Sequence, residues 1–331
     1  MRKVRWWQAP ACLMAAATLL AAAGCSSSDG PQPAGNSSST APAGGGSSTG
    51  TVAEAVFPVT LGTGSTAVTI EKKPARIVSL SATVTEDLFA IGAGAQVVAV
   101  DKTSTYPASA PRTALDAYQL NAEAVAAYRP DLVVVSGVAP AQVTKLKALK
   151  LAVVDEPAAT DLDQVYGQIT ELGKATGNAA AAQALVASMQ QKIAGIVAST
   201  PKPPAGASYY YELDQTYYSV TTSTFVGQLF KSLGLTSIAD AAKGAAAAGG
   251  YPQLNSEYVV KSNPGYVFLA DTKCCGQSAA KVSARPGWSV LAAVKGGRIE
   301  ALDDDIASRW GPRVVDLLQT ISAEMKEHPI S

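Results

Sequence analysis

From Arg76 onward, short apolar runs alternate with longer stretches of helical periodicity. Arg76–Leu80, Val97–Val100, Leu132–Val135 and Ala152–Val154 read as buried strands. Between the first two, Thr83 and Glu86 fit a capping box that opens a helix through Leu88, Phe89 and Ile91. Gly92 and Gly94 stop it. Asn121 caps a helix through Val125 and Tyr128, closed by Pro130, and Ala141–Lys150 is helical. Strands separated by such helices indicate parallel βαβ units. A helix over Asp161–Thr176 follows. From Asn178 to about Ser199, Leu185, Met189, Ile193 and Val197 recur at helical spacing, a long amphipathic helix ended by Pro201, Pro203 and Pro204. A second series then begins. Tyr209–Leu213 is a strand, which Tyr217–Val220 continues or pairs with. Phe225–Leu233 and Ser256–Lys261 are helices, Tyr266–Leu269 a strand, and Trp288 lies in a short helix. Arg298–Leu302 is the last strand and Gly311–Glu327 the last helix. The pattern predicts an α/β fold of two lobes, 56–176 and 201–331, each with a mostly parallel sheet, joined by one long helix over 177–200.

Composition removes several functions. Net charge is zero and charged residues are 16%, with no basic stripe, so nucleic acid is not an expected partner. His328 is the single histidine, which argues against His-rich metal sites and a Ser-His-Asp triad. Ser79, Ser81 and Ser308 stand outside any Gly-x-Ser-x-Gly elbow, so a lipoprotein enzyme is the weaker alternative. The Asp303–Asp305 run lacks the Gly and distal Glu of a calcium loop. Neither a resident metal nor a cofactor is expected.

The first residues give an address. Arg2, Lys3 and Arg5 precede an apolar run from Ala9 to Ala23, the order of a secretory signal over 1–24. Ala22-Ala23-Gly24-Cys25 resembles the lipobox of bacterial lipoproteins. The resemblance implies cleavage before Cys25, lipid on its thiol and new amino end, and a place on the extracytoplasmic face of the cell membrane. Residues 25–55 form a Ser/Gly/Ala/Pro tract too poor in apolar surface to fold, a flexible tether. Cys12 leaves with the signal, so Cys274 and Cys275 remain, adjacent and outside the membrane. A vicinal disulfide is expected there, free thiols being the alternative.

Three segments then share one likeness: Arg76-Ile-Val-Ser-Leu through Glu86, Asn121-Ala-Glu123 through Leu132, and Tyr251-Pro-Gln-Leu-Asn-Ser-Glu257 with Asn263-Pro264. Together with the long central helix they resemble the helical-backbone (class III) substrate-binding proteins of ABC importers, over about 75–325. The resemblance implies a monomeric receptor that captures a metal-chelate nutrient between its lobes and delivers it to a dimeric permease. Cobalamin stands ahead of a ferric siderophore. Haem trails, because only Tyr is available as an iron ligand. By motif, Glu123 and Glu257 meet permease arginines, and the first turn of a helix suits such solvated carboxylates. Tyr106, Tyr118, Tyr217, Tyr218 and Tyr251 offer flat faces with polar tips to a macrocycle. Asp305 and Arg309 match ligand-contacting positions of the cobalamin binders, and Trp310 stacks on the ligand or on Arg309.

Overall fold

The computed structural model describes residues 56–62 and 67–330. The signal peptide, Cys25 and the tether lie outside them. The N-terminal lobe opens with an antiparallel pair, β1 (Val59–Leu61) and β2 (Val68–Ile70). The alternating series follows: β3 (Ile77–Leu80), α1 (Ala82–Ala90), β4 (Val97–Val100), α2 (Ala122–Ala126), β5 (Leu132–Val135), α3 (Pro140–Ala148), β6 (Val153–Asp155) and α4 (Leu162–Thr176). Helix α5 (Ala179–Ser199) leads to the C-terminal lobe. That lobe holds β7 (Ser208–Glu212), α6 (Phe225–Ser232), β8 (Thr236–Ser237), α7 (Ser256–Ser262), β9 (Tyr266–Leu269), α8 (Thr272–Cys275), α9 (Ala279–Ser283), α10 (Ala292–Lys295), β10 (Ile299–Ala301), α11 (Asp304–Ala307) and α12 (Val314–Glu327).

Local chemistry sets these boundaries. Asp161 accepts from the Gln164 amide at the start of α4, and Gly177, at φ 72°, closes it in the left-handed region that glycine enters freely. Both four-stranded sheets are fully parallel, in the orders β4-β3-β5-β6 and β8-β7-β9-β10. Each lobe therefore repeats one pattern, with its first strand flanked by its second and third. Sheets of this kind are covered on both faces. Hence Tyr209, Tyr210 and Tyr211 are all fully buried. Tyr217–Val220 forms no strand of its own, only a single bridge from Tyr218 to Gln253.

Helix α5 packs on α4 and α12 through Ala182, Met189, Ile193 and Ile196. One hydrophobic cluster runs from Ile77 and Leu88 through Leu172 and Met189 to Phe230, Phe268 and Leu318. Both lobes and the connecting helix contribute to it.

Candidate functional site

In each sheet the chain crosses from one side of the first strand to the other. Loops leaving the carboxyl ends at such a reversal part and leave a crevice. In the N-terminal lobe that place is occupied by a cavity of about 370 Å³. Its floor is Ser81 and Thr83 after β3, Asp101 after β4, and Ser136 after β5. Buried Asp101 ties the floor together, accepting from the Thr103 and Ser104 hydroxyls. The opposite wall comes from the segment after β10: Asp305, Ser308, Arg309 and Trp310. Tyr118 stands on the rim, 84% exposed.

An ion cluster joins the lobes beside this cavity. Glu86, on α1, is almost fully buried. Its Oε1 accepts from Arg309 Nη1 at 2.7 Å and Arg313 Nη2 at 2.5 Å, and its Oε2 from Arg313 Nε at 2.8 Å. Arg309 Nη2 donates to Asp305 at 2.8 Å and to the Thr103 carbonyl at 3.1 Å. Lys273 holds Asp303 and Asp305 from outside. Arg313 lies 4.2 Å from the Tyr106 ring centroid. The capping box read at Thr83 and Glu86 is corrected here. Ser81 is the N-cap and α1 starts at Ala82, so Glu86 lies a full turn inside and meets the other lobe. Arg309 lines the cavity, but its terminal nitrogens are bonded within the protein.

Of the other aromatic residues singled out in the sequence, Trp310 reaches the cavity and Tyr106 covers the neighbouring hollow over Arg313. Tyr217, Tyr218 and Tyr251 do not line it. Tyr217 is half-buried, packed 6.3 Å from Trp288 and 5.4 Å from the Arg285 guanidinium. Tyr218 and Tyr251 are exposed on the C-terminal lobe. The acidic turn is built rather than merely solvated. Asp304 accepts from the amides of Thr272, Lys273 and Cys274 and so caps α8, while Asp303 caps α11.

The expected disulfide is not formed: both thiols are free, Cys274 exposed and Cys275 half-buried. The reason is local. The pair sits in a helical turn pinned by Asp304, and successive side chains on a helix diverge by about 100°. The Cys275 thiol and partial burial push the Cys274 thiol up to about 12.

Sequence reasoning missed a second polar centre, at the crossing point of the C-terminal sheet. Glu212, at the end of β7, is fully buried and takes a bidentate bond from Arg285. Asp271, just past β9, is equally buried, and neither of its oxygens has a protein donor. Burial, with the Glu212 carboxylate beside it, pushes Asp271 up to about 7. The folded protein therefore keeps a proton that the unfolded chain loses near pH 4. Stability from this group falls as pH rises through that window and levels off above about 7. Asp271→Asn is expected to raise the melting temperature relative to wild type by an amount that grows between about pH 5 and 8. An equal difference at both ends would sink the assignment.

Glu123 and Glu257 occupy matching places. Asn121 accepts from the Ala124 amide at the start of α2, and Asn255 from the Tyr258 amide at the start of α7. Both glutamates lie in these first turns, exposed. Among the described residues no acidic, His and Cys cluster is placed to hold a metal ion, and no helix is long and apolar enough to cross a membrane.

Residues 77–306 match a family model described as periplasmic binding protein. The chain is 32% identical over 278 residues to an uncharacterized ABC transporter substrate-binding lipoprotein, YvrC, of Bacillus subtilis, covering 81% of this chain and 85% of that one. It is 30% identical over 269 residues to a cobalamin-binding protein of Halobacterium salinarum, covering 78% and 72%. The fold superposes on the crystal structure of the vitamin B12 binding protein BtuF of Vibrio cholerae with a TM-score of 0.66 at 23% identity, over 78% of this chain and 99% of that one.

Proposed function

The chain belongs to the periplasmic binding protein family, and from that premise we propose that it is the substrate-binding lipoprotein of an ABC importer, with cobalamin as its ligand. The observation that carries this reading is the cavity at the crossing point of the N-terminal sheet, closed from the other side by Arg309 and Trp310. A corrin or similar flat chelate would lie against Trp310 and Tyr118, whose rings supply contact area at little entropic cost. Cys25 would carry the lipid and hold the domain at the outer face of the membrane, where Glu123 and Glu257 meet cationic partners on the permease dimer.

Titration of the domain from Thr51, by absorbance and thermal shift, tests the ligand. Cobalamin is expected to bind more tightly than ferric siderophores or haem, and no response to cobalamin would refute the reading. Trp310→Ala and Tyr118→Ala should each weaken cobalamin binding by about three- to tenfold through lost ring contact. Unchanged affinity in both variants would place the ligand elsewhere.

A further inference from the structure

The site holds an imbalance that the proposed function does not use. Arg309 is the one cation among the residues lining the cavity, and its terminal nitrogens serve Glu86, Asp305 and the Thr103 carbonyl. Arg313, next along the seam, gives Nε and Nη2 to the same Glu86. Both guanidiniums are largely buried, so neither turns outward without breaking charge-assisted bonds.

The groups left over are of the opposite kind. Among the described residues, the buried side-chain atoms without a partner are all oxygens. Three stand near the cavity, of which Ser136 Oγ alone belongs to a residue that lines it. Glu156 follows β6 beside it, since Val135 and Asp155 are paired in register. Asp87 Oδ1 faces the seam, where a Cβ on Gly311 would come within 3.4 Å of it. Burial pushes Glu156 up to about 8, and burial with the charges of Glu86 and Glu156 raises Asp87.

We propose that Glu86 is a specificity-determining residue: by holding Arg309 and Arg313, with Asp305 supplying the second negative charge, it withholds them from ligand carboxylates and reserves the cleft for chelates whose periphery carries primary amides. This rests on the chelate-receptor reading given above. A primary amide offers two N–H donors and one acceptor, complementary to the Asp101 and Asp305 carboxylates and the Ser81, Ser136 and Ser308 hydroxyls that line the cavity. A carboxylate offers acceptors alone. It would meet acidic groups and find its natural partners occupied. A group left unpaired in such a site costs more than an ordinary contact gains, and selection by repulsion works in this way.

The test compares one corrinoid carrying amide side chains with the same corrinoid hydrolysed to carboxylic acids, with haem as an independent carboxylate probe. Wild type is expected to bind the amide form at least about tenfold more tightly than the acid form, a difference of about 1.4 kcal/mol. Glu86→Gln, which keeps the side chain's shape and frees one positive charge, should shrink that ratio or reverse it. Calorimetric titration gives both affinities, and circular dichroism establishes that the variant is folded. Equal affinity of wild type for both corrinoids would overturn the proposal while leaving the receptor reading intact. So would an unchanged ratio in folded Glu86→Gln. Binding of haem in preference to either corrinoid would overturn the proposal and the cobalamin assignment together, and failure of both corrinoids to bind would do the same.

Discussion

Glu86→Ala lowers the stability of the folded domain by about 3–5 kcal/mol, the usual result of removing one partner from a buried ion pair. Two neighbouring guanidiniums of the C-terminal lobe, 10% and 16% exposed, are left at the seam without their shared carboxylate. For a chain of this size that corresponds to a fall in melting temperature on the order of 10 °C. Urea titration with a two-state fit measures it directly. A loss below about 1 kcal/mol would mean that the arginines escape to water and that the cluster is no clamp. The sequence alone pointed to Arg309 as a ligand contact. With Arg309 bonded to both lobes, Arg309→Ala belongs instead with the destabilising changes.

Uptake is expected to stop in the double variant Glu123→Arg with Glu257→Arg, while chelate affinity and melting temperature stay within error of wild type. Each carboxylate is exposed, lies in the first turn of its helix, and takes no part in an ion pair among the described residues. Charge reversal there turns attraction into repulsion at a cationic partner surface, and like-charge contacts at an interface cost several kcal/mol. Cells depending on this importer would be followed by accumulation of labelled ligand. Normal accumulation by the double variant would remove both residues from the docking role.

The strands were legible because buried parallel strands are short, unbroken apolar runs, as at Leu132–Val135 and Tyr266–Leu269. Helix starts were legible where a local acceptor marks them, as at Asn121 and Asp161. Pairs of two- or three-residue strands such as β1 and β2, and β8 with only Thr236 and Ser237, carry too few positions for any periodicity. The site was half legible. Asp305, Arg309 and Trp310 follow the last strand, so topology alone aims them at the cleft. What Arg309 holds there was hidden, because its partner Glu86 lies 223 residues away and a long-range ion pair leaves no local signature. Glu86 also satisfied a capping pattern, and the local explanation masked the distant one. The tyrosines of β7 were legible as strand, and their aromatic bodies fill a doubly covered sheet.

The cluster that runs through α5 into both sheets has a consequence for how the molecule comes apart. Met189 and Ile193 of that helix, Leu172 of the first lobe and Phe230 of the second share one dry interior. No plane divides it into halves that are each closed to water. The described residues accordingly form one compact unit despite their two sheets. Loss of either lobe would expose apolar faces of the other, so the two lobes are expected to unfold together. Cooperativity of that kind sets the rigidity of the receptor as well. Opening the cleft by swinging the lobes apart would strain the shared interior itself, so a ligand meets a crevice whose width is fixed before it arrives.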